Sequence, residues 1–223
     1  SIISPILANI YLHYVLDLWF DQEARKQMTG RALLLRYADD FVVGFKYHSD
    51  TQRFLKMLPK RLEKFGLTLS KEKTRKLRFN RFQKERSESF DFLGFEYRWI
   101  LSRKGTDVIR LRTSSKKLRR IIQDLTVWFK KHQNKRLWWV LGMVKAKLKG
   151  LYNYFGVIGN SSRLYEMYIL YKKTLFRLLN RRSQRKSFNR KTFSYILNQH
   201  GIVQYRSRIS NTGIQTNCLS QLA

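Results

Sequence analysis

Asp39 and Asp40 stand side by side in Tyr37-Ala38-Asp39-Asp40, between two short apolar runs at residues 32–35 and 41–43. Each run has the length and composition of a strand core, so the two acids fall at or near the bend of a β-hairpin. A hairpin tip presents two carboxylates without burying either. Hard divalent cations such as Mg²⁺ take anionic oxygen ligands, commonly one or two carboxylates completed by substrate phosphates. Two such ions about 3.5–4 Å apart clamp the attacking and leaving oxygens of a phosphoryl transfer. An Asp-Asp pair alone is more often a solvated polar turn, so the surrounding elements decide its weight.

Those elements come in two styles. Before Thr113 short β-type runs dominate. Ser4 suits a helix N-cap and Pro5 the first helical position, and Leu7, Ile10, Tyr11, Tyr14 and Leu18 then repeat at helical spacing to about Arg25. After the hairpin, Ser49 and Gln52 form a candidate capping box for a helix whose face is Phe54, Leu55, Leu58, Leu62 and Phe65. Gly66 should stop that helix and Pro59 should kink it. Residues 80–89 read as a loop, and strands are expected near residues 92–99 and 108–112. From Ser114 the pattern is helical, with Ser114 or Ser115 as cap and Leu118, Ile121, Ile122, Leu125 and Phe129 as face. Further helices carry Leu137, Val140, Leu141, Val144, Leu148 and Leu151, then Leu164, Tyr168, Leu175, Leu178 and Leu179 behind Asn160-Ser161-Ser162. A short one near residues 192–199 ends at Gly201.

Charge divides the chain at the same place. The 223 residues hold 46 Lys+Arg against 15 Asp+Glu, a net +31. Residues 1–113 carry 23 basic and 13 acidic side chains, whereas residues 114–223 carry 23 basic and two acidic, Asp124 and Glu166. Such a field attracts polyanions. Basic residues mixed with Tyr, Trp and Phe suit phosphate contacts and base stacking better than a membrane surface, which favours one basic amphipathic helix. No apolar run approaches the ~20 residues of a membrane span. A single Cys, Cys218, and four scattered His exclude a disulfide framework and a Cys-x-x-Cys zinc module, and fit a reducing compartment. In the helical half, Lys145 and Lys149 share a helix face at i and i+4, a stripe able to follow a phosphate backbone. Arg181, Arg182, Arg185 and Lys186 could do the same. A solvated face is the plainer alternative, but a merely soluble surface mixes both signs. Trp138 and Trp139 cannot both face one core, so one is open either for nucleic-acid stacking or for another protein segment.

The segment from Arg36 to Val43 resembles the catalytic hairpin of reverse transcriptases in their group II intron form. Other blocks resemble the same family in order. Ser4-Pro5-Ile6-Leu7-Ala8-Asn9-Ile10-Tyr11-Leu12 resembles the palm helix before the hairpin. Leu67-Thr68-Leu69-Ser70-Lys71-Glu72-Lys73-Thr74 resembles the strand and Lys-Thr segment after it, and Phe90-Asp91-Phe92-Leu93-Gly94-Phe95 the primer-grip hairpin. Leu148-Lys149-Gly150-Leu151-Tyr152-Asn153-Tyr154-Phe155 and Arg181-Arg182-Ser183-Gln184-Arg185-Lys186 resemble the thumb, or maturase X domain.

The resemblance implies an α+β fold, a partial right-hand polymerase palm over residues 1–113, then an all-helical thumb over residues 114–200 and a loosely ordered tail over residues 201–223. It implies Asp39 and Asp40 as catalytic Mg²⁺ ligands, and Tyr37 and Ala38 at the primer end or incoming nucleotide. Lys73 would lie near the triphosphate, and Phe92, Leu93, Gly94 and Phe95 would form the primer grip. The cationic helical residues would bind nucleic acid. The partners implied are an RNA template with a DNA primer, deoxynucleoside triphosphates and intron RNA whose splicing the protein assists, in the bacterial cytoplasm or an organelle. The family pattern places a Pro-Gln-Gly-Gly stretch, fingers and a third metal-binding Asp before Ser1. The chain is therefore expected to be the C-terminal piece of a longer polymerase, inactive alone. Two rivals are a splicing factor without polymerase activity and a retron or diversity-generating reverse transcriptase. The intact Asp pair and Lys-Thr block favour the enzyme over the first, and the thumb block favours the intron family over the second.

Overall fold

The computed structural model describes residues 3–70, 72–82, 88–102, 104–182 and 187–205. The fold is α+β, with two small antiparallel sheets and six α-helices among the described residues. It divides into two compact units, the first through Leu77 and the second from Arg78. The change of charge at Ser114 lies inside the second unit. No helix among the described residues is long and apolar enough to cross a membrane.

The first unit opens with α1 (Ile3–Leu12), which runs on into π-helical winding at His13–Leu18 and Phe20–Ala24 and a 3-10 turn at Arg25–Gln27. Ser4 lies inside α1 and does not cap it. The expected apolar face is also not the buried one: Leu7, Ile10, Tyr11 and Tyr14 are exposed, while Val15, Leu16, Trp19, Phe20 and Ala24 are buried. Helix α1 buries no residue at all, and beyond Leu12 the wider π-helical winding decides which side meets the core, so one face extended at 3.6 residues per turn does not carry through the stretch.

Strands β1 (Ala32–Tyr37) and β2 (Asp40–Phe45) pair antiparallel, from Ala32 opposite Phe45 to Tyr37 opposite Asp40. Period-2 alternation turns Ala32, Leu34, Phe41, Val43 and Phe45 onto the core built by the preceding helical stretch and α2 (His48–Glu63). Tyr47 occupies the N-cap of α2 without a side-chain bond, so the Ser49–Gln52 box does not form. Asp50, in the first turn, is instead fully buried, and its carboxylate accepts the amides of Thr29 at 3.0 Å and Gly30 at 2.9 Å. The helix continues through Pro59 to Glu63, and the turn after it closes at Gly66, whose φ of +66° suits glycine, with the Leu67 amide donating to the Leu62 carbonyl. Residues 67–70, expected as a strand, pair with no strand among the described residues. Leu67 and Leu69 pack on the core, and the amides of Lys73 and Thr74 then close a turn onto the Ser70 carbonyl.

In the second unit β3 (Ser89–Phe92), β4 (Phe95–Leu101) and β5 (Asp107–Thr113) form a sheet in that order. The strand expected over residues 92–99 is broken by a two-residue turn at Leu93 and Gly94, with φ of +52° and +80°. Helices α3 (Ser115–His132), α4 (Leu137–Phe155), α5 (Ser161–Asn180) and α6 (Arg190–Gln199) follow. Ser114 caps α3 by accepting the Lys117 amide, and Asn189 with Thr192 forms a capping box on α6. Sheet and helices share one core: Phe95, Leu118, Leu125, Val144, Phe155 and Leu175 all belong to it. Asn160 stands at the N-cap of α5 but makes no capping bond; its buried carboxamide takes the Thr113 amide and donates to Thr113 Oγ1 and the Phe155 carbonyl.

Candidate active site

Pairing of Tyr37 with Asp40 leaves Ala38 and Asp39 as the whole turn of the β1–β2 hairpin. Two-residue hairpins need positive φ to match the twist of their strands, and glycine usually supplies it. Here Ala38 adopts φ +54°. A left-handed residue bearing a Cβ costs about 1 kcal/mol, so something must hold it.

Arg36 does. Its Nη1 donates to the Ala38 carbonyl and to Asn9 Oδ1, each at 2.9 Å. Its Nε and Nη2 donate to the two carboxylate oxygens of Asp17, each at 2.7 Å. The planar fork of a guanidinium matches a carboxylate in this way and adds directional specificity to charge. The Arg36 side chain is only 13% exposed. Alternation along β1 turns it toward the helical stretch, where Asn9 and Asp17 lie, and turns Tyr37 to the opposite face. The Arg36 hydrogen bonds hold the Asp17 carboxyl below the usual carboxylate range against the opposing effect of burial, with His13 Nδ1, 3.2 Å away, acting in the same direction as Arg36. The same bonds raise the Arg36 guanidinium above its ordinary value.

Above this support Tyr37, Ala38, Asp39 and Asp40 are all exposed. Neither Asp39 nor Asp40 makes an ion pair or side-chain hydrogen bond with the described residues. Two unneutralised carboxylates on a fixed turn form a hard oxygen donor set that fits Mg²⁺ when phosphate oxygens and water complete the shell. Among the described residues no group of three or more His, Cys, Asp or Glu gathers for a metal.

Lys73 is exposed on the turn that follows Ser70. At the β3–β4 turn, Phe92, Leu93 and Gly94 are partly buried and Phe95 is buried. Tyr154 Oη donates to the Leu93 carbonyl at 3.1 Å and the Ser114 amide to the Gly94 carbonyl at 3.0 Å, while Phe95 packs on Tyr154 and Phe155. Phe95 is thus a core residue, and the turn before it is fixed from two sides. Lys145 and Lys149 are exposed one turn apart on α4, and Arg181 and Arg182 are exposed at the end of α5. Arg185 and Lys186 lie outside the described residues.

Sequence reading passed over Asn9, Asp17, Arg36 as a support, and Asp50. Two signals were present: a charged residue at an inward position of an alternating strand, and a lone acid in the mostly apolar helical stretch from Ile3 to Phe20.

Residues 1–97 match the family described as reverse transcriptase (RNA-dependent DNA polymerase). That span includes the hairpin, its Arg36 support, Lys73 and the β3–β4 turn, and it stops inside β4. No curated protein matches the chain.

Proposed function

We propose that the protein is the reverse transcriptase of a group II intron, making DNA on an RNA template and also binding intron RNA as a maturase. The observation that carries this reading is the free Asp39–Asp40 pair on a braced hairpin turn, inside the span that matches reverse transcriptases. Asp39 and Asp40 would hold Mg²⁺. Bound there, the metal supplies charge neutralisation for the triphosphate and a lowered pKa for the attacking 3′-hydroxyl.

The remaining work falls to side chains of the chain. Tyr37, 64% exposed beside Asp40 on the outer face of the hairpin, offers a flat surface to the primer end or incoming nucleotide. Ala38 keeps the turn small where a backbone must pass. Lys73 is free to neutralise charge that develops on the leaving pyrophosphate. The Leu93-Gly94 turn presents backbone to the primer strand while Phe92 and Phe95 anchor it. Lys145, Lys149, Arg181 and Arg182, in a half nearly devoid of acids, contact phosphates of primer–template or intron RNA. The maturase role rests on this basic helical region and on the thumb-like block around Tyr152.

The test is Asp39→Asn in the full-length protein, assayed for Mg²⁺-dependent primer extension on RNA and for RNA affinity. Extension should vanish and affinity should persist. Retained extension removes Asp39 from the chemistry. An inactive wild type that still promotes intron splicing identifies a maturase without polymerase activity.

A further inference from the structure

The connection between α3 and α4 holds an aromatic and basic cluster outside every role assigned so far. Trp128 and His132 of α3 and Trp139 of α4 form one stack, with ring centroids 4.9 Å apart for Trp128–His132, 5.5 Å for His132–Trp139 and 6.1 Å for Trp128–Trp139. Lys147 Nζ sits 5.2 Å from the Trp128 ring centroid. This stack fixes Trp139. The next residue back on an α-helix is rotated by about 100°, and Trp138 accordingly stands 62% exposed.

Trp138 and Trp139 wall a shallow open recess of about 340 Å³ whose other lining residues are Lys135 and Arg136. No Asp or Glu occurs from Leu125 through Tyr165, a stretch holding Lys130, Lys131, Lys135, Arg136, Lys145, Lys147, Lys149 and Arg163. Three of the five tryptophans also fall there, Trp128, Trp138 and Trp139. A surface built for solubility alone mixes charges and avoids an open indole. A rigid indole flanked by cations with no acid nearby is complementary to a planar ring bearing phosphates on either side.

We propose that this recess stacks an unpaired nucleobase of a single-stranded RNA on Trp138, with Lys135 and Arg136 on the flanking phosphates. The proposal rests on the nucleic-acid-binding reading of the helical half given above and adds to it a contact to the base itself. Duplex phosphates would use the cations and leave the indole idle. A single strand uses both.

The test compares two end-labelled RNA 12-mers, oligoadenylate and its abasic counterpart, by fluorescence anisotropy with the full-length protein. Trp138→Ala should weaken binding of oligoadenylate about tenfold and leave the abasic strand unchanged. Trp138→Phe should retain most of the affinity. Lys135→Ala with Arg136→Ala should weaken both strands alike. Equal affinity of wild type and Trp138→Ala for oligoadenylate overturns the proposal, as does an equal loss on both strands. Failure of wild type to bind either strand overturns the nucleic-acid reading together with it. Binding of anionic lipid vesicles that Trp138→Ala abolishes, with oligoadenylate affinity intact, would assign the recess to a membrane surface instead. Since Trp138 is exposed, the variants should melt with wild type, which separates lost contact from lost fold.

Discussion

Arg36 and Asp17 are joined by two hydrogen bonds of 2.7 Å, and the guanidinium nitrogen left over reaches the carbonyl of Ala38. One side chain therefore connects the helical stretch to the turn that carries Asp39. Arg36→Lys keeps the charge and loses the fork. In primer extension the turnover rate should fall about a hundredfold, as small misplacements of reacting groups do, while RNA affinity stays put. Asp17→Asn should act in the same direction. Because the pair works as one unit, the double variant should be little worse than either single. Additive losses would show that the two side chains act separately.

Ala38→Gly tests the strain at the turn. The left-handed φ is free for glycine, whereas the unfolded chain gains freedom, so the two effects oppose. The net expectation is a change in unfolding free energy of no more than about 0.5 kcal/mol, with extension retained. A branched residue cannot adopt this φ cheaply. Ala38→Val should cost about 1–2 kcal/mol in urea unfolding and reduce extension further.

Asp50 gives a pH prediction. The Thr29 amide lowers its carboxyl most, burial opposes, and the Gly30 amide adds to the lowering. Its folded pKa lies below its unfolded value of about 3.9, so its contribution is complete above that pH and disappears as pH falls through the folded value. Asp17 and Glu96 shift in the same direction, Glu96 chiefly through Arg112. Thermal melting should be flat near neutrality and drop steeply below about pH 4. Asp50→Ala leaves two amides without partners and should cost about 2–3 kcal/mol at pH 7, with a shallower acid limb.

Asn160 makes the same kind of demand in the second unit. Asn160→Leu fills the space but strands the Thr113 amide and the Phe155 carbonyl, each bonded to it at 2.9 Å or less. Urea unfolding should show a loss of about 2–4 kcal/mol. Asn160→Asp keeps an acceptor for Thr113 but buries a charge and sets an oxygen against the Phe155 carbonyl, so at neutral pH it should cost at least as much.

RNA affinity should fall steeply with salt, since each phosphate contact releases counterions. Over a rise from 50 to 200 mM, six or more contacts correspond to a loss of about a thousandfold or greater. A flat response would mean that stacking and shape dominate.

How much of this was legible in sequence depended on distance along the chain. The β1–β2 hairpin followed from residues within a dozen positions, and so did the α3 face and its Ser114 cap. Gly66 and Gly201 marked helix ends through their own backbone freedom, with φ of +66° and +65°. The supports were not legible. Arg36 meets Asp17 across 19 residues, and Asp50 meets Gly30 across 20. Periodicity carries no information about such pairings. Asn160 read as a helix opener because Asn favours caps, but tertiary bonding to Thr113 claimed its side chain. At Leu93-Gly94 the resemblance points to the primer grip, while the left-handed Leu93 leaves no mark in the apolar run.

The π-helical winding at His13–Leu18 carries one more consequence. A stretch wound at this pitch contains a residue that regular α-geometry would not accommodate. Deleting one residue there would let the backbone relax to ordinary α spacing with its two flanks nearly in register, whereas adding one would swing everything before it by about 100° against everything after. Asn9 and Asp17, which lie on opposite sides of the excess residue, could then no longer share a single guanidinium. A one-residue insertion in this segment should therefore be harsher than most point substitutions there, and harsher than a one-residue deletion.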